Sequence, residues 1–108
     1  MASASTISTD DWVFVGIRNP GRNEQIIGQT DPAADISYIP IFKKKDDAQI
    51  CLPRMFPDPT LTFEVQAILY CDILQMASAN GYLLYLLDAR GSICDRIAPP
   101  DRLKPFFT

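Results

Sequence analysis

The chain has 108 residues, of which 47% are hydrophobic and 21% charged, and its net charge is −3. A chain of this length forms one domain that buries roughly 65% of its unfolded surface. The acidic balance argues against nucleic acid as a partner, because phosphate binding requires clustered Lys and Arg. No apolar run reaches the roughly 18 residues of a membrane helix, so we expect no membrane span.

The absence of histidine limits the chemistry that this sequence supports. Histidine is the commonest general base and metal ligand, so catalysis would depend on carboxylates, Lys, Tyr or Cys. The three cysteines, Cys51, Cys71 and Cys94, form no Cys-x-x-Cys pair. Because an odd number does not suggest a disulfide framework, we interpret them as small buried residues. Reduced cysteines are typical of the cytosol, and we expect a cytoplasmic protein.

Both ends of the chain are predicted to be tails. The first nine residues are rich in Ser and Thr but lack the basic start and apolar core of a secretory signal. At the other end, the two prolines after Ala98 end regular structure. We therefore predict a flexible tail over residues 1–10, a single domain over 11–98 and a second tail over 99–108.

The first third of the domain is predicted to contain a hairpin. Trp12–Ile17 is rich in β-branched and aromatic residues, which favours a strand. Asn19-Pro20-Gly21-Arg22 matches a type II turn, because proline fixes φ and glycine accepts a positive φ. Glu24–Ile27 returns as a short second strand, and residues 28–35 are predicted to be a loop.

The next segment changes from strand to helix. Ile36–Phe42 is predicted to be a strand with Pro40 at an edge or a bulge, since proline lacks a backbone donor. A helix is predicted to begin at Lys44 or Lys45, with two aspartates in its first turn that complement the positive helix end. Pro53 is expected to end or kink this helix.

The second half repeats the strand-then-helix pattern. Leu61–Ile68 alternates like a strand, and Leu69–Asn80 has apolar rows at helical spacing that stop at the following glycine. Tyr82–Leu87 is almost entirely apolar, which predicts a central strand covered on both faces. Ser92–Ile97 is predicted to pair back as the last strand.

These elements predict an α+β fold in two layers, with a mixed five- or six-stranded sheet and two helices on one face. If the strands of the 36–68 unit are parallel, their connection should be a right-handed crossover.

No motif in the sequence indicates a reactive centre. A P-loop, a Rossmann fingerprint, a zinc ribbon, an EF-hand and a nucleophile elbow are all missing from the sequence. We therefore predict no catalytic, cofactor-binding or metal-ligating residue and no cofactor, and a role other than catalysis is favoured over an enzymatic one.

The function predicted first is a protein-interaction or regulatory module with a protein partner. It would act through a sheet edge, through the 53–60 connector or through the aromatic end of the chain. The last predicted strand should leave an open edge, which can pair into a homodimer or capture a peptide strand. Phe106 and Phe107 would either cover their own domain or insert into a partner. Candidate interaction residues are Arg18, Arg22, Lys43, Lys44, Phe56, Phe106 and Phe107.

Two other functions stay open. In the first, a small ligand-binding protein or enzyme uses the 18–35 loop, where Arg18 and Arg22 flank a tight turn and can bind a phosphate or carboxylate. Asp31 or Asp35 would then lie at the mouth of the pocket. In the second, Cys71 on the polar edge of its helix performs thiol redox chemistry.

Short motifs are spread from residue 12 to about residue 87: Trp12-Val-Phe-Val15, Asn23-Glu24-Gln-Ile26, Ile41-Phe42 before Asp46-Asp47-Ala48, Pro59 with Val65-Gln-Ala67-Ile68, and Asn80-Gly81-Tyr82. Together they resemble a small uncharacterised family of cyanobacteria and plants that is known only as a domain of unknown function. This chain departs from the family pattern by a longer 28–35 loop and by lysine where a helix-capping serine is expected near Lys44. It also adds a hairpin and tail after Asp88.

A second resemblance concerns the middle of the chain. Ile39-Pro-Ile-Phe42 leading to Asp47-Ala-Gln49 is similar to repeats of an intermembrane chaperone family of chloroplast import. Members of that family enter by a targeting sequence, which we do not find in this sequence. Neither resemblance implies catalytic residues.

Overall fold

The computed structural model of the protein describes residues 7–21 and 24–98. Two α-helices and seven strands in this part of the chain form an α+β fold, as predicted. The helices are α1 (Lys45–Met55) and α2 (Tyr70–Asn80). The strands are β1 (Trp12–Arg18), β2 (Gln25–Ile26), β3 (Gln29–Asp31), β4 (Ile36–Ile41), β5 (Phe63–Leu69), β6 (Leu83–Leu87) and β7 (Ile93–Ile97).

The strands divide between two sheets, whereas the sequence predicts one sheet of five or six strands. The first sheet has the order β2-β1-β5 and the second the order β3-β4-β6-β7. They join at one point, where the Phe14 N–H donates to the Phe42 carbonyl at 2.8 Å and the Phe42 N–H donates back at 3.0 Å. The chain from β2 to β3 leaves the first sheet and enters the second beside this joint.

The strand β3 lies inside the segment predicted to be a loop. Gln29, Thr30 and Asp31 pair with Tyr38, Ser37 and Ile36 of β4. Because all three β3 residues are polar, the sequence shows no alternation there, and pairing with β4 makes this segment a strand.

The predicted crossover through α1 connects strands that belong to different sheets. β5 is antiparallel to β1, whereas β4 is parallel to β6. The connection between the two parallel neighbours therefore contains α1, β5 and α2. Pro40 is tolerated in β4 because the pairing with β3 stops at Tyr38.

The hydrophobic core lies on both faces of the sheets, and each helix covers one face. Leu84 and Leu86 of β6 belong to a cluster with α2, and Tyr85 and Leu87 belong to a cluster with α1. The prediction of both helices on one face is therefore wrong. The reason is that β6 is apolar along its whole length, so both of its faces must be covered. The prediction that this strand is covered on both faces is confirmed.

Two helix ends show how local signals act. α1 continues past Pro53 to Met55 and does not end there, and the Phe56 N–H still donates to the Leu52 carbonyl at 2.9 Å. The missing donor of Pro53 is tolerated because the proline is exposed in the last turn. α2 ends as predicted at Gly81, whose φ of 77° is the left-handed conformation that glycine adopts without strain.

The cysteines differ in exposure, although all three were expected to be buried. Cys51 is buried, Cys71 is partly buried and Cys94 is exposed, and all are free thiols. Cys94 rather than Cys71 is therefore the most accessible thiol.

Ile7, within the predicted N-terminal tail, packs against the cluster on the α2 side. Within residues 7–21 and 24–98, no helix is long and apolar enough to cross a membrane.

Candidate functional site

The candidate site is a cavity of about 270 Å³ at the end of β1. Arg18 is the last residue of β1 and pairs with Gln25 of β2 on one side and with Phe63 of β5 on the other. The chain from Gln25 to Thr30 forms one wall, because it passes here from the first sheet to the second. Ser37 of β4 and Tyr82, just before β6, complete the described wall.

Arg18 contributes a buried donor without a partner. Its Nε atom has almost no contact with solvent and no hydrogen-bond acceptor among the described residues. A buried polar group without a partner costs roughly 1–3 kcal/mol. Arg18 also lines the cavity, so its guanidinium group can donate to an acceptor that enters it.

The acidic residues near Arg18 in sequence bind other groups. Oε2 of Glu24 accepts a hydrogen bond from the Gly21 N–H at 2.7 Å. Asp31 accepts from the Ala33 N–H at 3.1 Å and from the Tyr85 hydroxyl at 3.4 Å. Neither carboxylate is among the described residues that line the cavity. Arg18 is the one charged residue in that described lining.

Asp31 and Asp35, which the sequence-based hypothesis put at the mouth of a pocket, are not among the described residues that line this cavity. Asp31 lies instead beside the stacked rings of Tyr38 and Tyr85, whose centroids are 4.1 Å apart. Burial and the negative charge of Asp31 raise the pKa of Tyr38. Asp35 is exposed in the turn before β4, with a positive φ of 54°.

The side chains of the described lining can form hydrogen bonds with an anion. Arginine binds carboxylates and phosphates through paired N–H donors. Gln25, Gln29, Thr30, Ser37 and Tyr82 add amide and hydroxyl groups that both donate and accept. The described lining contains no carboxylate or thiol that could act as a base or nucleophile, and histidine is absent from the whole sequence.

Of the predicted interaction residues, two lysines lie at another surface. Lys43 and Lys44 precede α1 and line an apolar groove of about 390 Å³ with Leu86, Leu87 and Cys94. Phe56 is partly buried and packs against the cluster on the α1 side, so its ring contributes to the core. Arg22, Phe106 and Phe107 lie outside the described residues.

Sequence reasoning identified Arg18 but missed its neighbours. Ser37 and Tyr82 are far from Arg18 in sequence, and no local motif connects them. In the wall from Gln25 to Thr30, the part up to Ile27 was predicted to be a strand and the part from Gly28 a loop. The ligand-binding hypothesis used this loop. Two exposed apolar side chains were also missed: Trp12 is 59% exposed and Ile50 is 52% exposed.

Comparison with protein-family models, curated proteins and solved structures finds no match to this chain. The resemblance to the cyanobacterial and plant family stays a prediction.

Proposed function

We propose that this protein binds a small organic anion in the Arg18 cavity. The observation that carries this proposal is the buried Nε donor of Arg18, which has no acceptor within the described part of the chain. Arg18 lines the cavity, and a carboxylate or phosphate oxygen of the ligand would accept from its guanidinium group. This function corresponds to the ligand-binding alternative that the sequence left open.

The size and lining of the cavity restrict the ligand. The volume of about 270 Å³ is slightly below the range of most ligand pockets, which is roughly 300–1,000 Å³. One guanidinium group matches one anionic group, and the amides and hydroxyls around it match hydroxyl or carbonyl oxygens. The ligand class is therefore a small anion with several hydrogen-bonding oxygens, such as a hydroxy acid.

The test is a titration of the full chain with malate and with inorganic phosphate, followed by ¹H–¹⁵N NMR. We expect the Arg18 Nε–H signal and the amide signals of Gly28, Gln29 and Thr30 to shift in a saturable way. Arg18→Lys keeps the charge but removes the Nε donor and the planar fork, so its Kd should rise by about tenfold or more.

The matched control is Arg54→Lys, because Arg54 is exposed on α1 and lies away from the cavity lining. This variant should bind both anions as the wild type does. Equal loss of binding in the two variants would show that the effect is not specific to Arg18, and an absence of saturable shifts in the wild type would overturn the proposal.

A second function, the protein-interaction module, is supported by a different observation. Trp12 is 59% exposed and Ile50 is 52% exposed, and exposed apolar surface can mark an association site. This role needs no ligand in the Arg18 cavity, so the two functions can be tested separately.

A further inference from the structure

The strand β5 lies at one end of the first sheet and is poorly covered. The order β2-β1-β5 leaves one edge of β5 without a partner strand in the described part of the chain. Five of its seven residues are apolar, yet none of the seven is buried. A strand of this composition is typical of sheet interiors, yet Phe63, Val65 and Ile68 are only partly buried where they pack against the core.

The other sheet edges carry features that prevent strand pairing. β2 has two residues and β3 has three, which is too short for a stable edge contact. β7 has a register shift beside Leu87 and carries Asp95 and Arg96. By contrast, β5 pairs with β1 over seven consecutive residues without a shift, and its one charged residue is Glu64. Among the described strands, β5 is therefore the edge that lacks these features against strand pairing.

The free backbone groups of β5 can be assigned from the hydrogen bonds of β1. The Phe14 N–H donates to Phe42, and the Gly16 carbonyl accepts from Ile27, so both residues direct these groups away from β5. Their partners in β5 are Ala67 and Val65. In an antiparallel pair, the partner of a residue that points its N–H and C=O away from the pair also points its own away. Ala67 and Val65 therefore direct these groups towards the free edge of β5, and Phe63 does the same by alternation.

We propose that a second copy of this chain pairs antiparallel along β5, with the two-fold axis at Val65. Phe63 then lies opposite Ala67 of the partner subunit. All three outward residues of each copy take part, which gives six backbone hydrogen bonds by the alternation of an antiparallel ladder. The contact is isologous, as in most homodimers. This inference rests on the proposed interaction role and is independent of the Arg18 cavity.

The sequence of β5 favours itself as the partner. In this register Glu64 lies opposite Gln66 of the partner subunit, so each carboxylate faces an amide donor. Val65 faces its own copy, and Phe63 faces alanine, which leaves room for the ring. β7 lacks this complementarity: a two-fold axis at Asp95 or Arg96 places like charges opposite each other, and an axis at Cys94 places Asp95 opposite Ile93.

The first test is the molar mass of the full chain, measured by size exclusion with light scattering over a concentration series. We expect a dimer for the wild type. Ala67→Pro removes one outward N–H from each copy without touching the bonds to β1, so the dimer Kd should rise by about tenfold or more. Ala67→Thr keeps the N–H and suits a strand, so it should remain dimeric.

A second pair of variants tests the register and does not depend on proline. Gln66→Glu places glutamates opposite each other twice across the axis, so Kd should rise by about tenfold. Gln66→Lys places lysine opposite Glu64 and should bind at least as tightly as the wild type. Hydrogen exchange should show protected amides at Phe63, Val65 and Ala67 in the dimer.

A wild type that stays monomeric throughout the concentration series would overturn the proposal. So would a dimer whose Kd is the same in Ala67→Pro and Ala67→Thr, or the same in Gln66→Glu and Gln66→Lys. Anion binding at Arg18 is measured on the same samples, so failure of one function is distinguishable from failure of the other.

Discussion

Among single residues, Tyr85 has the most constrained surroundings. It is 2% exposed, its ring stacks on Tyr38 at an interplanar angle of 14°, and Arg96 lies 5.3 Å from its centroid. A cation over a tyrosine ring is attracted by the negative face of the ring. These contacts join β3, β4, β6 and β7 on the face of the second sheet that α1 covers.

The stack predicts an alkaline loss of stability through Tyr38. Burial and the carboxylate of Asp31 raise the pKa of Tyr38 in the folded protein above its ordinary value of about 10. In the unfolded chain the phenol loses its proton first, so the unfolded state binds fewer protons. The contribution of Tyr38 to the free energy of unfolding is therefore constant below pH about 10 and is lost as the pH rises through the folded pKa.

In Tyr38→Phe we expect a smaller decrease over the same pH range, measured by urea unfolding between pH 8 and about 11. The phenylalanine ring keeps the stack with Tyr85. Tyr70, whose pKa is raised by burial and by Asp95, retains part of the decrease in both proteins. An identical pH profile in the variant and the wild type would contradict this assignment.

At the scale of the elements, α1 is a helix with an incomplete N-terminus. Lys44 is its N-cap residue, with φ of −125° and ψ of 139°, and its side chain caps no amide. Asp46 and Asp47 in the first turn compensate through their charge. The N-terminus of α1 therefore has no side-chain cap.

Lys44→Ser should raise the free energy of unfolding by about 1 kcal/mol, because a serine hydroxyl accepts from the exposed amides of the first turn. The backbone at Lys44 is already in the extended conformation that an N-cap requires. Urea unfolding measures the gain. Lys45→Ser is the control: it removes the same charge inside the helix and should give no increase, since serine lowers helix propensity slightly. Equal gains in both variants would assign the effect to charge.

For the whole molecule, the joint between the sheets is the place where their backbones hydrogen-bond to each other. Phe42 is fully buried, its ring belongs to the cluster on the α1 side, and its backbone pairs with Phe14 across the joint. The two sheets also pack on each other, because buried side chains of β1 share one cluster with those of β4 and β6.

Phe42→Ala should reduce the free energy of unfolding by about 3–5 kcal/mol, because it leaves a cavity in the core at the joint. A domain of this type has roughly 5–15 kcal/mol in total, so the variant is expected to be marginally stable. Phe56→Ala is the matched control, since its ring is only partly buried and should cost less. Thermal unfolding followed by near-UV and far-UV CD measures both; similar losses would contradict the role of Phe42.

The sequence by itself determined the elements that have a local signal. Both helices, the stop at Gly81 and the buried strand β6 follow from apolar spacing and from glycine, because these signals act within a few residues. The acidic balance and the absence of histidine also belong to this level. Arg18 could be identified as a candidate because it flanks a tight turn.

The tertiary structure alone decided which strands are neighbours and what surrounds Arg18. β3 is polar and becomes a strand only by pairing with β4, and the helices occupy opposite faces because β6 must be covered twice. Ser37 and Tyr82 reach Arg18 through strand pairing between distant segments. Such contacts depend on long-range register, which no local pattern records, so the cavity and the open edge of β5 emerge only when the chain is folded.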